Sequence, residues 1–181
     1  TVNFGRKILE MSPDDLQKSI EKQLNLMNER LAVLGAKLHH VKAHGALYNL
    51  SAMDEVTAKV LVKAIKNTTE EVFLYVPYNS VIERIALQHQ MQIIYEGFAD
   101  RNYNDDLSLV SRSEENALIS DETAVFKQVY NMIINRKVTT ISGLEVAIKA
   151  STFCIHGDHP KAISLVKKLV QLLEEHHIKV C

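Results

Sequence analysis

Apolar residues recur at helical spacing through Leu16, Ile20, Leu24, Met27, Leu31 and Leu34, which predicts a long amphipathic helix. Ser12-Pro13-Asp14-Asp15 supplies its start: a serine cap, proline at the first helical position and acids in the first turn. Gly35 suits its C-terminal cap. Leu38 to Ala43 predicts a short strand, and Ser51 with Asp54 three residues on predicts a second helix reaching Asn67. Val72 to Val76 (VFLYV) is a β-rich run stopped by Pro77. A helix over Asn79 to Gln90 and a strand over Gln92 to Glu96 follow. A helix from Asp121 carries Val125, Val129, Met132 and Ile133 on one stripe. Val138 to Lys149 predicts a hairpin around Ser142-Gly143. A strand over Thr152 to His156 leads to a last helix after Pro160. Between these, Gly97 to Ser120 is polar and irregular, and loops of that length are usually functional or mobile.

Strands separated by helices predict an α/β fold, with parallel strands joined by right-handed crossovers and the hairpin as an insertion. Side chains alternate along a strand. His40, Lys42 and His44 therefore share one face opposite Val41 and Ala43, and Thr152, Cys154 and His156 share one opposite Phe153 and Ile155. One face of each strand is polar, increasingly so toward its C-terminal end. A barrel opening onto a site at its strand C-termini has this pattern, and so does a sheet edge with one wet face.

Composition narrows the class. The chain has 181 residues, 46% hydrophobic and 24% charged, which predicts a single globular domain and excludes disorder, fibrous repeats and a disulfide scaffold. Lys plus Arg is 21 against 22 Asp plus Glu, a net charge of -1, so no nucleic-acid partner is expected. The apolar runs are too short to span a membrane, and no leader pattern opens the chain; a leader on a longer precursor stays open. Cys154 and Cys181 read as free thiols of a reducing cytoplasm. Trp is absent and aromatics are 6%, so aliphatic residues must fill the core.

Three strand ends carry polar clusters: VKAHGALYN (Val41 to Asn49), EGFADRNYNDDLSLVSR (Glu96 to Arg112) and CIHGDHP (Cys154 to Pro160). His44, before Gly45, could shuttle protons or bind metal; a lone histidine satisfied in the core is the plainer reading. Lys42, on the same face, could hold a carboxylate or a developing oxyanion, or fill a salt bridge. Glu96 could be a general base if burial raises its pKa. Asp100 and Arg101 could belong to the site or simply fix the loop as a pair. Asp158 could orient His156 or cap the helix that follows. Tyr48, Asn49, Tyr103 and Arg112 are candidate polar walls for a substrate. Cys154, inside a strand, reads as a small buried hydrophobe. The sequence has no Cys/His zinc spacing, no phosphate-cradling glycine loop and no serine elbow.

Together these clusters resemble the LamB/YcsF family, whose motifs read VKPHGALYN, E-x-FADR-x-Y with LV-x-R, and C-x-HGD-x-P. The resemblance covers essentially the whole chain. Ala43 departs from the family's proline without removing a reactive group. Motifs like DLNCDxGE, CGFHAGD and AHPGYPD are not found here, and Phe4-Gly5-Arg6 looks like the GFGR that follows them. The resemblance thus implies the C-terminal two-thirds of an irregular (β/α) barrel of the polysaccharide-deacetylase type, with Thr1 in a loop. It also implies the A component of an ATP-dependent 5-oxoprolinase, which opens the 5-oxoproline lactam to glutamate. ATP would be bound by partner subunits, in the cytoplasm. The implied roles are Glu96 or His44 as base, Lys42 and Arg101 as anion stabilisers, and His156 with Asp158 as an orienting pair, with Lys42, His44, Glu96, Asp100 and His156 converging at the strand C-termini. Two alternatives stand beside it: a metal-dependent, deacetylase-like hydrolase of N-acyl carbohydrate, and a non-catalytic substrate-binding component. The metal requirement and homo-oligomerisation stay open.

Overall fold

The computed structural model describes residues 5, 7–158 and 161–180. The expectations resting on Thr1, Phe4, Arg6, Pro160 and Cys181 lie outside the described residues. The chain forms two compact units, Thr1–Ile94 and Tyr95–Cys181.

In the first unit the order is α1 (Pro13–Val33), β1 (His40–Val41), α2 (Gly45–Met53), α3 (Glu55–Thr68), β2 (Phe73–Val76) and α4 (Val81–Gln88). Helix α1 starts where Ser12 Oγ accepts the Asp15 N–H. It ends at Gly35, with φ +65°, where the Gly35 and Ala36 N–H groups donate to the Ala32 and Leu31 carbonyls. Its apolar stripe packs on α3, yet of that stripe only Ile20 is buried and Met27 and Leu34 stay exposed. Periodicity says which face of a helix is apolar; how far it is covered depends on its neighbours.

The expected second helix is two. Ser51 lies inside α2, where its Oγ donates to the Tyr48 carbonyl at 3.0 Å. Asp54 is the cap of α3, accepting from Thr57 N–H at 2.7 Å and Thr57 Oγ at 2.6 Å. The physical difference is that a carboxylate accepting two donors fixes the break, while a serine hydroxyl can be absorbed by a helical carbonyl. Helix α3 buries Ala58, Leu61, Val62, Ala64 and Ile65. Strands β1 and β2 run parallel, with His40 opposite Phe73 and Val41 opposite Leu74. Val41, Ala43, Leu74 and Val76 are buried, as the alternation predicts.

Strand β3 (Gln92–Phe98) leads into the second unit, with α5 (Glu122–Ile134), β4 (Lys137–Thr139), β5 (Glu145–Ala147), β6 (Thr152–Cys154) and α6 (Ala162–Glu175). Strands β3 and β6 are parallel, pairing Glu96 with Thr152, Gly97 with Phe153 and Phe98 with Cys154. Strand β3 runs two residues past its expected end at Glu96. Gly97 marks a tight crossing here, not a turn: a Cβ at this position would meet Ala150 Cβ and Met132 Sδ at 3.0 Å each. Ala99 continues that face into a core with Val125, Val129, Leu165, Leu169 and Leu173, against which Phe153 and Ile155 pack. The expected hairpin forms from β4 and β5, antiparallel, with Gly143 at φ +87° in its turn. The long 97–120 segment is ordered by bridges between Arg101 and Leu118 and between Tyr103 and Leu109, with Val110 and Ala117 buried. Among the described residues no helix is long and apolar enough to cross a membrane.

Candidate active site

The register of β3 and β6 builds the central pair. Phe98 lies opposite Cys154, so Asp100 and His156, each two residues further on, fall in step on the same face. Asp100 is fully buried. Its Oδ2 accepts the His156 backbone N–H at 2.8 Å, and both carboxylate oxygens lie 3.0 Å from His156 Nδ1. Burial pushes the Asp100 carboxyl up. The His156 side-chain and backbone hydrogen bonds and the imidazole charge together outweigh that and hold it below its ordinary value. An ionised carboxylate only accepts, so Nδ1 carries the proton and Nε2 presents a lone pair when the ring is neutral. The ring stacks on Phe98, with centroids 5.6 Å apart, and its side chain is 24% exposed. The result is an oriented imidazole with a buried carboxylate behind it and solvent in reach.

This arrangement corrects the expected His156–Asp158 pair. Asp158 instead faces Arg112 Nη1 at 3.8 Å, and the cap of α6 is Lys161. A residue two positions further along the same turn is poorly placed to face the ring, whereas the neighbouring strand delivers Asp100 in register. Arg101 does not form the expected loop-fixing pair with Asp100. Its Nε donates to the Ala117 carbonyl at 3.2 Å and its Nη2 to the Val110 carbonyl, so the buried guanidinium pins the loop through backbone. Burial, then the nearby Arg112 charge, pushes the Arg101 guanidinium below its ordinary value. Tyr103 is buried, and its phenol oxygen accepts the Phe98 N–H at 2.7 Å. Desolvation there pushes the phenol up, making Tyr103 a neutral wall. Glu96 is buried at 4% exposure, two residues before Phe98 on the same face as Asp100. Cys154 is only half-buried, less than expected.

The first unit holds the other candidates. His44 is exposed at the N-cap of α2 and makes no side-chain cap bond; Gly45 turns the chain with φ +60°. Lys42 is half-buried, its ammonium 5.7 Å from the centroid of the Tyr48 ring, within cation–π range. Tyr48 is buried in α2, and Asn49 is exposed on it. Lys42, His44, Tyr48 and Asn49 thus gather around the end of β1 and the start of α2.

Two features had no signal in the sequence. Gln128 of α5 donates from Nε2 to the carbonyls of Phe98 at 2.8 Å and Arg101 at 2.9 Å, with Ala99 at 3.4 Å. Asp105 accepts from Thr140 Oγ1 at 2.5 Å and Ser142 Oγ at 2.7 Å, tying the hairpin turn to the loop. An isolated polar residue on a helix or in a loop announces neither role. Among the described residues no group of three or more His, Cys, Asp or Glu side chains is placed to hold a metal ion.

Comparison with known proteins agrees with the motifs. The LamB/YcsF family matches residues 1–181. The 5-oxoprolinase A subunit of Campylobacter jejuni subsp. jejuni serotype O:6 is 39% identical over 180 residues, 99% of this chain and 71% of that protein. The protein of the same name from Bacillus cereus (strain B4264) is 36% identical over 181 residues, 99% of this chain and 72% of that protein. The crystal structure of a lactam utilization protein from Thermus thermophilus superposes with a TM-score of 0.91 at 31% identity, covering 99% of this chain and 71% of that one. That match bears out the expected fold class. The motifs, the fold and the match along the whole chain together show that this chain belongs to the LamB/YcsF family.

Proposed function

We propose that this chain is the A component of a 5-oxoprolinase, and that His156, oriented by Asp100, is the base that activates water against the lactam carbonyl. The relatives named as 5-oxoprolinase A subunits support the activity, and the Asp100–His156 geometry carries the mechanism. An amide carbonyl is a poor electrophile, so water must lose a proton as it attacks. Nε2 takes that proton while the water oxygen bonds to the carbonyl carbon. The ring C–N bond then breaks, the proton passes to the departing nitrogen, and glutamate results. The buried carboxylate stabilises the imidazolium between these steps.

This reading moves the base from Glu96 or His44 to His156. Arg112 is the cation that the second unit offers to the substrate carboxylate or developing oxyanion; in the first unit Lys42, His44, Tyr48 and Asn49 form a polar group of their own. Glu96 and Tyr103 form the buried side of the Asp100–His156 site, Arg101 holds its loop, and Asp158 positions Arg112. ATP is a co-substrate handled by partner subunits, and the complex works in the cytoplasm. The test is glutamate release from 5-oxoproline with ATP and the partner subunits present, wild type against H156A. General-base loss predicts a fall in kcat of about 10²–10⁴-fold. An unchanged kcat in H156A would confine this chain to substrate binding and remove the mechanism.

A further inference from the structure

We infer that Gln128 is a positioning residue for the Asp100–His156 pair, an inference that rests on the catalytic reading above. Strand β3 ends at Phe98, so the carbonyls that follow have left its regular ladder just where Asp100 must be held. Gln128 reaches in from α5 and closes that gap. Three carbonyl oxygens, of Phe98, Ala99 and Arg101, surround its terminal nitrogen. Only the amide NH2, not its oxygen, is attractive there, which settles the orientation of the group. Its two good bonds fall on Phe98 and Arg101, on either side of Asp100 in the chain. The Asp100 carbonyl itself accepts the Ile119 N–H at 2.9 Å. Asp100 is thereby fixed from both flanks and from behind, leaving its carboxylate directed at His156.

A purely structural role for Gln128 is the competing account, and α5 supplies the control. Val125 and Val129 dock that helix in the core without Gln128. Gln128→Met keeps the length of the side chain and removes the donors; Gln128→Glu places an acceptor against three acceptors. Amide exchange is read at His156, whose N–H bonds to Asp100, and at Val129, while kcat and KM are measured with ATP and partner subunits. In Q128M we expect exchange at His156 to rise about tenfold, the net effect of its two lost hydrogen bonds, with Val129 essentially unchanged. We expect kcat to fall by a similar factor with KM held, and Q128E to be the more severe. Unchanged His156 exchange in both variants, or equal acceleration at His156 and Val129, would overturn the inference. If the wild-type complex releases no glutamate from 5-oxoproline, the functional reading fails, and the exchange comparison still decides whether Gln128 positions the pair.

Discussion

Asp100 shows how one residue can be both buried and charged. Removing a carboxylate from water is costly unless donors replace the water, and His156 supplies both its ring and its backbone N–H. The carboxyl consequently sits below its ordinary value, about 3.9 for an unperturbed aspartate. For a group whose folded value is depressed, the stabilisation is complete above the unfolded value and is lost as pH falls through the folded one. D100N has no such proton to gain. Urea titrations should therefore show wild type most superior to D100N near neutral pH, with the gap narrowing below about pH 4. A gap of equal size at pH 7 and pH 3 would mean that Asp100 is not held as a carboxylate. Arg101 makes the complementary point: its type and motif suggested an anion contact, while its bonds go to backbone carbonyls.

At the scale of elements, the crossing of β3 with α5 determines where the polar face of Asp100 and His156 begins. Gly97 lets the strand pass Met132 and Ala150, so that β3 continues to Phe98 and delivers Asp100 in register with His156. Met132 Sδ lies in the outer part of a flexible side chain and can shift; the Ala150 methyl moves only with its backbone. Gly97→Ala should therefore cost about 1–3 kcal/mol by overpacking, read as a lower urea midpoint. A variant as stable as wild type would show that the crossing has slack. The helix boundaries teach a related lesson. Ser51 and Asp54 both have the chemistry of a cap, and the pattern around them pointed to Ser51 as the start. Asp54 prevails because Thr57 offers it two donors, a local fact readable from the sequence only once that threonine is weighed.

At the scale of the whole molecule, each compact unit carries its own polar group, Lys42 with His44 in the first and Asp100 with His156 in the second. Groups that act in one step are strongly non-additive when removed. Within the second unit, the kcat of the D100N/H156A double variant, measured with ATP and partner subunits, should thus lie close to that of H156A alone. A loss equal to the product of the two single losses would show that Asp100 does not act through His156. Much of this was legible beforehand. The caps of α1, the VFLYV strand, the α5 stripe, the hairpin and the two-faced strands all follow from short-range physics: turn chemistry, helical period and strand alternation act within a few residues, and the sequence carries them directly. The motif residues announced the LamB/YcsF family just as directly. The pairing of His156 with Asp100 instead of Asp158 was decided by the tertiary structure, because it depends on the register between strands 56 residues apart. So was Gln128's clamp, since nothing near a helix residue in sequence indicates which carbonyls the packed helix will meet. Local preference is written residue by residue, but which polar groups must satisfy one another is settled only when packing removes water from between them.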